Sequence, residues 1–150
     1  HGPALIKDFC WWSGLTIKDA LIGIELNKTL KTFKENKDVY YFFENEKNSI
    51  SDKVYLLPNY DEFGIAYQNR IHFFDPNDTK HLGVRGNANF QHMLVTGGKI
   101  FGTWKKELTS KQVVIKASPF KSFTDSEKQR IKMSAEEYAK FLNLELKLFI

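Results

Sequence analysis

The stretch Leu56-Leu57-Pro58-Asn59-Tyr60-Asp61-Glu62-Phe63 decides how this chain divides. Val54 to Leu57 is an apolar, extended run that reads as a buried strand, and Pro58 ends it because proline brings no N–H to a sheet ladder. Asn59 to Glu62 then offer turn or helix-entry chemistry. Asp61 and Glu62 therefore sit beside a core. On a helix adjacent residues point about 100° apart, and on a strand they point to opposite faces, so the two carboxylates do not converge on one reacting atom. The structural reading has one of them capping a helix while the other pairs with Arg70 or a lysine. A stand-alone hydrolytic role for either needs a second group and a pocket.

Upstream of this junction, Ala4 to Trp12 places Leu5, Phe9 and Trp12 on one helical face, and Ser13-Gly14 supplies a left-handed stop. Thr16 is an N-cap for a second helix, in which Ile17, Ala20, Leu21 and Ile24 form the apolar stripe. Leu30 to Lys34, a turn at Glu35 to Asp38, and Val39 to Phe43 make a hairpin. Helix, turn, helix, hairpin is the order of a winged helix whose first helix would lie upstream of His1. Glu44 to Lys53 is polar and reads as a linker.

Downstream, Asp61 to Tyr67 predicts a short helix that packs Phe63 and Tyr67 inward, and residues 75 to 89 read as loop. Phe90 to Thr96, Gly97-Gly98 and Lys99 to Leu108 make the clearest hairpin, because two glycines suit the positive φ angles of a primed turn. Gln112 to Ala117 adds a third strand. Thr124 with Glu127 forms a capping box for the last helix, whose predicted buried face is Ile131, Ala135, Tyr138, Phe141 and Leu142. A final strand has Leu144, Leu146 and Leu148 facing one way. The fold class is thus α+β: a truncated winged helix over 1–53, then a small antiparallel β-barrel-like unit with a C-terminal helix over 54–150.

The chain has 150 residues, 42% of them apolar and 15% aromatic, enough for an ordinary core. No run approaches the about 20 apolar residues of a membrane-spanning helix, so no membrane partner is expected. Cys10 stands alone, which suits a reducing, cytoplasmic compartment. Its neighbours are aromatic, and a small core residue is the plain reading. His1-Gly2-Pro3 carries neither an initiator methionine nor a secretory signal, so a cut chain is expected. The histidines His1, His72, His81 and His92 follow no ligand spacing, and neither metal nor cofactor is expected. Gly83 and Gly86 lack the Lys-Ser/Thr ending of a phosphate loop.

Charge points toward a polyanion. Basic and acidic residues balance through Leu57, so the net charge of +4 lies in the second half. Its densest run is Lys99, Lys105, Lys106, Lys111, Lys116, Lys121, Lys128, Arg130 and Lys132. A solvated surface explains such lysines as well as a nucleic acid does. Two DNA surfaces stand open. In the first, the second helix enters a major groove, with Thr16, Lys18 and Asp19 near bases and Lys31, Lys34 and Lys37 of the hairpin near phosphates, although the charges of Asp19 and Glu25 oppose it. In the second, Lys99, Lys105, Lys106, Lys111 and Lys116 hold a backbone around Trp104, which is either a stacking platform or core.

Three segments together resemble the bacterial winged-helix family that includes the AlkZ-like DNA glycosylases. They are His1-Gly2-Pro3-Ala4 through Asp8-Phe9-Cys10-Trp11-Trp12-Ser13-Gly14-Leu15-Thr16; Leu56 through Phe63 with Tyr67 and Arg70; and Gly98-Lys99-Ile100-Phe101-Gly102-Thr103-Trp104-Lys105. The resemblance implies a C-terminal fragment of a longer DNA-repair protein, with double-stranded DNA as partner. It makes Tyr60, Asp61, Glu62 and Arg70 a family signature of structural character. The family's catalytic signature is Gln-apolar-Gln or Gln-apolar-Asp in the N-terminal region. Gln68, Gln91, Gln112 and Gln129 are not followed two places later by Gln or Asp, so no catalytic residue carries over. The expected function is a DNA-binding accessory region; the competing one is a structural module with no ligand of its own.

Overall fold

The computed structural model describes residues 2–44, 51–68, 70–75, 77–78 and 92–150. The loop expected over 75–89 and the linker expected over 44–53 lie largely outside the described residues. The chain forms two units, His1–Ser49 with Glu62–Arg70, and Ile50–Asp61 with Ile71–Ile150.

The first unit runs β1 (Ala4–Leu5), α1 (Ile6–Ser13), α2 (Ile17–Leu26), β2 (Lys31–Glu35) and β3 (Asp38–Phe42), with the short α3 (Glu62–Ile65) returning to it. Helix, turn, helix and hairpin stand in the expected order. Gly14 takes φ 74° and its N–H closes on the Cys10 carbonyl, which ends α1 by the left-handed route the sequence predicts. Thr16 caps α2 by accepting from the Asp19 N–H at 3.2 Å. The start of the chain differs from the helix expected at Ala4. Ala4 and Leu5 pair with Tyr41 and Tyr40 instead, giving an antiparallel sheet of order β1-β3-β2.

The buried carboxylate of Asp8 explains this entry. It is only 4% exposed, and its two oxygens accept from the Leu5 N–H at 3.3 Å and the Gln68 N–H at 2.9 Å. One side chain thus stops β1, opens α1 and anchors the returning segment. Trp11 adds a second tie, donating from Nε1 to the Ile65 carbonyl at 2.9 Å. The apolar stripe expected on α2 is half open: Ala20 is buried and Ile24 half-buried, while Ile17 and Leu21 are exposed. Phe9 and Trp12 of α1 are exposed as well. Helical periodicity marked an apolar face here, and the described elements of this unit cover it only in part.

The second unit contains β4 (Tyr55–Leu57), a 3-10 turn (Ile71–Phe73), β5 (His92–Thr96), β6 (Lys99–Leu108), β7 (Gln112–Pro119), α4 (Asp125–Leu142) and β8 (Glu145–Phe149). Its five strands lie in the order β4-β5-β6-β7-β8, so among the described residues the sheet is open rather than barrel-like, with β4 and β8 as edges. The antiparallel expectation fails at one pair, because α4 carries the chain back across the sheet and brings β8 parallel to β7. The hairpin at Gly97-Gly98 is as predicted, with φ 54° and 75°.

Both capping-box bonds of α4 form: Thr124 accepts from the Glu127 N–H, and the Glu127 carboxylate accepts from the Thr124 N–H at 2.7 Å. Ile131, Ala135 and Ala139 pack from α4 onto Leu94, Trp104, Val113 and Ile115 of the sheet. Phe141, expected inside, is 84% exposed, because Ile131, Ala135 and Ala139 set a stripe that leaves it on the far side of the helix. Ser134 is buried and donates from Oγ to the Val54 carbonyl. Val54 and Leu56 join this core, as their apolar run implies.

Candidate nucleic-acid interface

Strand alternation separates lysines that the sequence places together. Lys105 lies opposite Lys116, which lies opposite Phe149; one row on, Glu107 lies opposite Val114 and Val114 opposite Lys147. Side chains two apart share a sheet face, so Lys105, Lys116, Lys147 and Phe149 occupy one face of β6, β7 and β8. All four are exposed. Trp104 and Lys106 belong to the other face, the one that α4 covers.

That division settles the place of Trp104. It is 3% exposed and donates from Nε1 to the Leu57 carbonyl at 2.9 Å, so it is core and offers no stacking platform. Its ring meets His92 edge-on at 4.7 Å and Tyr138 at 5.8 Å. Lys106 closes the group, with Nζ 5.3 Å from the Tyr138 ring centroid and 2.7 Å from the Tyr138 hydroxyl, to which it donates. Partial burial and the Lys106 charge together hold the His92 pKa below its ordinary value. Lys106 is thereby committed to packing.

On the open face the charges are less engaged. Lys116 pairs with Glu107 at 2.7 Å, and this hydrogen bond holds the Glu107 carboxyl below the usual range. Lys147 Nζ rests 5.3 Å from the Phe149 ring centroid. Among the described residues, Lys105 and Lys111 have no ion-pair partner. Like charges directly opposite on neighbouring strands repel; Glu107 answers Lys116, and Lys105 is the cation of this pair left for a further anion. Lys147 and Phe149 were missed from sequence, although the alternation of Leu144, Leu146 and Leu148 already sends them to the opposite side.

The remaining candidates scatter. Lys99, the first residue of β6, donates to the His72 carbonyl at 2.5 Å. Of the dense basic run, Lys121 pairs with Asp78 at 3.1 Å, which raises its pKa, Lys128 with Asp125 at 3.4 Å, and Lys132 with Glu136 at 3.8 Å. Arg130 donates to the Asp52 carbonyl at 2.9 Å.

In the first unit, the Thr16 hydroxyl donates to Asp19 Oδ2 at 2.6 Å, so capping engages the group that was to face a base. Lys18 is exposed one turn into α2. Lys31 is paired with Glu44, and Lys34 is exposed on β2. Of the signature residues, Arg70 donates from Nε to the Gly64 carbonyl at 2.5 Å; burial lowers its pKa and the charge of Asp8 opposes that. Glu62 opens α3, with its carbonyl accepting from the Ala66 N–H. Asp61 is half-buried just before it, and Tyr60 is exposed. The described residues hold no group of three or more His, Cys, Asp or Glu that could hold a metal, and no helix among them is long and apolar enough to cross a membrane.

A family model described as DNA glycosylase AlkZ-like matches residues 1–141. The chain belongs to the AlkZ-like DNA glycosylase family. Among solved structures it is similar to the Streptomyces sahachiroi DNA glycosylase AlkZ, with a TM-score of 0.66 over 98% of this chain. The identity is 14%, so the likeness is one of fold, and this chain spans 42% of that protein's length. No curated protein matches. For this AlkZ-like chain the signature segment Gly98 to Lys105 has a structural explanation: Gly98 makes the turn, and a Cβ at Gly102 would stand 2.7 Å from the Ser118 carbonyl oxygen on β7.

Proposed function

We propose that this chain is a DNA-binding accessory region of an AlkZ-like DNA-repair protein, acting on double-stranded DNA while base excision is carried by residues outside it. The observation that carries this is a strip of exposed side chains on β6, β7 and β8 of the second unit, where Lys105 stands opposite Lys116 in register, with Lys147 and Phe149 on the same side. Such a face takes phosphates without reading sequence. The helix–turn–helix–hairpin order of the first unit supports a winged helix in which Lys18 and Lys34 add backbone contacts. Its α2 exposes Ile17, Leu21, Ile22 and Leu26, which suits packing better than base reading.

Titrating labelled duplex DNA with the chain over a salt series tests this. Binding that weakens linearly in log salt supports it. Absence of binding at low salt overturns it. The exposed apolar side of α1 and α2 favours a second reading, a structural module that packs within a longer AlkZ-like protein. On that reading, reversing Lys105 and Lys106 to Glu leaves the longer protein's DNA affinity unchanged.

A further inference from the structure

The second unit leaves a strand edge open. Among the described residues β8 has a ladder neighbour on one side only, β7, and no proline or register shift interrupts it. The other edge, β4, is three residues long and is followed at once by Pro58, which blunts it. Glu145 donates its N–H to the Lys111 carbonyl at 3.0 Å, so its backbone groups point toward β7. Backbone direction alternates along a strand: Lys147 and Phe149 follow Glu145, whereas Leu146 and Leu148 aim their N–H and C=O groups away from β7. Side chains alternate as well. Glu145, Lys147 and Phe149 are exposed, while Leu146 and Leu148 are half-buried against the core. Among the described residues neither Glu145 nor Lys147 forms an ion pair.

We propose that β8 is a docking edge for a second copy of this chain, paired antiparallel about a two-fold axis at Leu146, so that two open sheets join into one. Charge selects this register. An axis at Leu146 sets Glu145 opposite Lys147 of the second copy and Lys147 opposite its Glu145, two favourable cross-strand pairs. An axis at Lys147 sets the two lysines directly opposite each other, where they repel. An axis at Leu148 leaves Glu145 opposite no residue of β8. With the axis at Leu146 the outward backbone groups also meet: Leu146 exchanges two hydrogen bonds with its counterpart, and the Leu148 N–H meets the Leu144 carbonyl. The Leu144 N–H is already taken by the Ala139 carbonyl at 3.0 Å, so the shared ladder ends there. The axis stands perpendicular to the sheet, so Lys105 and Lys116 of both copies lie on one side of the joined sheet. Pairing through one short strand makes a small interface, and the dimer is weak, with a Kd between about 1 µM and about 1 mM.

The test is sedimentation equilibrium of the 150-residue chain without DNA, so its outcome is independent of the DNA-binding reading. Wild type should pass from monomer to dimer between about 1 µM and about 1 mM. Glu145→Lys and Lys147→Glu each turn both cross-strand pairs into like charges and should weaken the dimer about tenfold or more. An equimolar mixture of these two variants should associate at least as well as wild type, because every charge pair across the seam is then of opposite sign. The double variant Glu145→Lys/Lys147→Glu should dimerise like wild type for the same reason. Amide exchange should slow at Leu146 and Leu148 as the dimer forms and stay unchanged at Glu145 and Lys147. A wild type that is still monomeric at about 1 mM overturns the proposal. So does a dimer indifferent to the single reversals, or one that leaves exchange at Leu146 and Leu148 unchanged, since it lies on another surface. A loss that the mixture or the double variant fails to restore overturns it too, because the charges then do not set the register.

Discussion

The ammonium of Lys106 donates to the hydroxyl of Tyr138 at 2.7 Å, while the neighbouring Lys105 points from the opposite face of the same strand. Two adjacent lysines therefore have separable roles. Lys106→Glu should remove the Tyr138 hydrogen bond and the cation near two aromatic rings, lowering stability by about 1 kcal/mol in a urea melt. Lys105→Glu places opposite charges across the strands at Lys116, so stability should stay within about 0.5 kcal/mol of wild type. DNA affinity should respond the other way round, falling with Lys105→Glu and changing little with a neutral Lys106→Met.

Asp8 holds the first unit together through two backbone donors. Asp8→Ala leaves the Leu5 and Gln68 N–H groups without their carboxylate, both in partly buried hydrogen bonds. A loss of about 1–3 kcal/mol is expected from the denaturant midpoint. Wild-type stability in Asp8→Ala would show that the returning segment is held by other contacts.

Gly102 marks the closest approach of β6 to β7. Gly102→Ala would press a methyl group against the Ser118 carbonyl at 2.7 Å and the Pro119 Cα at 3.2 Å, both backbone atoms that cannot swing aside. The variant should lose about 1–3 kcal/mol. Gly98→Ala meets no neighbouring atom and costs only the strain of its positive φ.

The His92 pKa lies below its ordinary 6.5 because of burial and Lys106. The unfolded chain therefore takes up the proton first as pH falls, and stability is lost from about pH 6.5 down through the lower folded value. Above pH 6.5 both states are neutral at this residue, and it contributes no slope. His92→Gln should flatten the decline measured by Trp fluorescence in urea between pH 7.5 and pH 5.

Local chemistry was legible in the sequence; the placement of faces was not. Gly14, Thr16, Thr124 with Glu127, and Gly97-Gly98 each act through their own backbone, so their caps and turns follow from residue type alone. The predicted apolar stripe of α2 assumed full cover, yet Ile17 and Leu21 are exposed while Ala20 is buried. The basic run looked like one surface because Lys105 and Lys106 are adjacent, yet a period of two divides them. Trp104 amid lysines read as core first, with a platform as the alternative, and the Leu57 carbonyl that takes its N–H places it in the core. Asp8 was invisible as an anchor, since its partner lies 60 residues away. The parallel β8 required knowing that α4 crosses the sheet, which helix periodicity does not reveal.

The most direct measurement is the salt dependence of duplex DNA binding by the wild-type chain and by Lys105→Glu. The account predicts low-salt binding that weakens linearly in log salt, with the slope of the variant smaller by about 1 because one phosphate contact is gone. Identical slopes and affinities for the two proteins, or no binding by either at low salt, would contradict it.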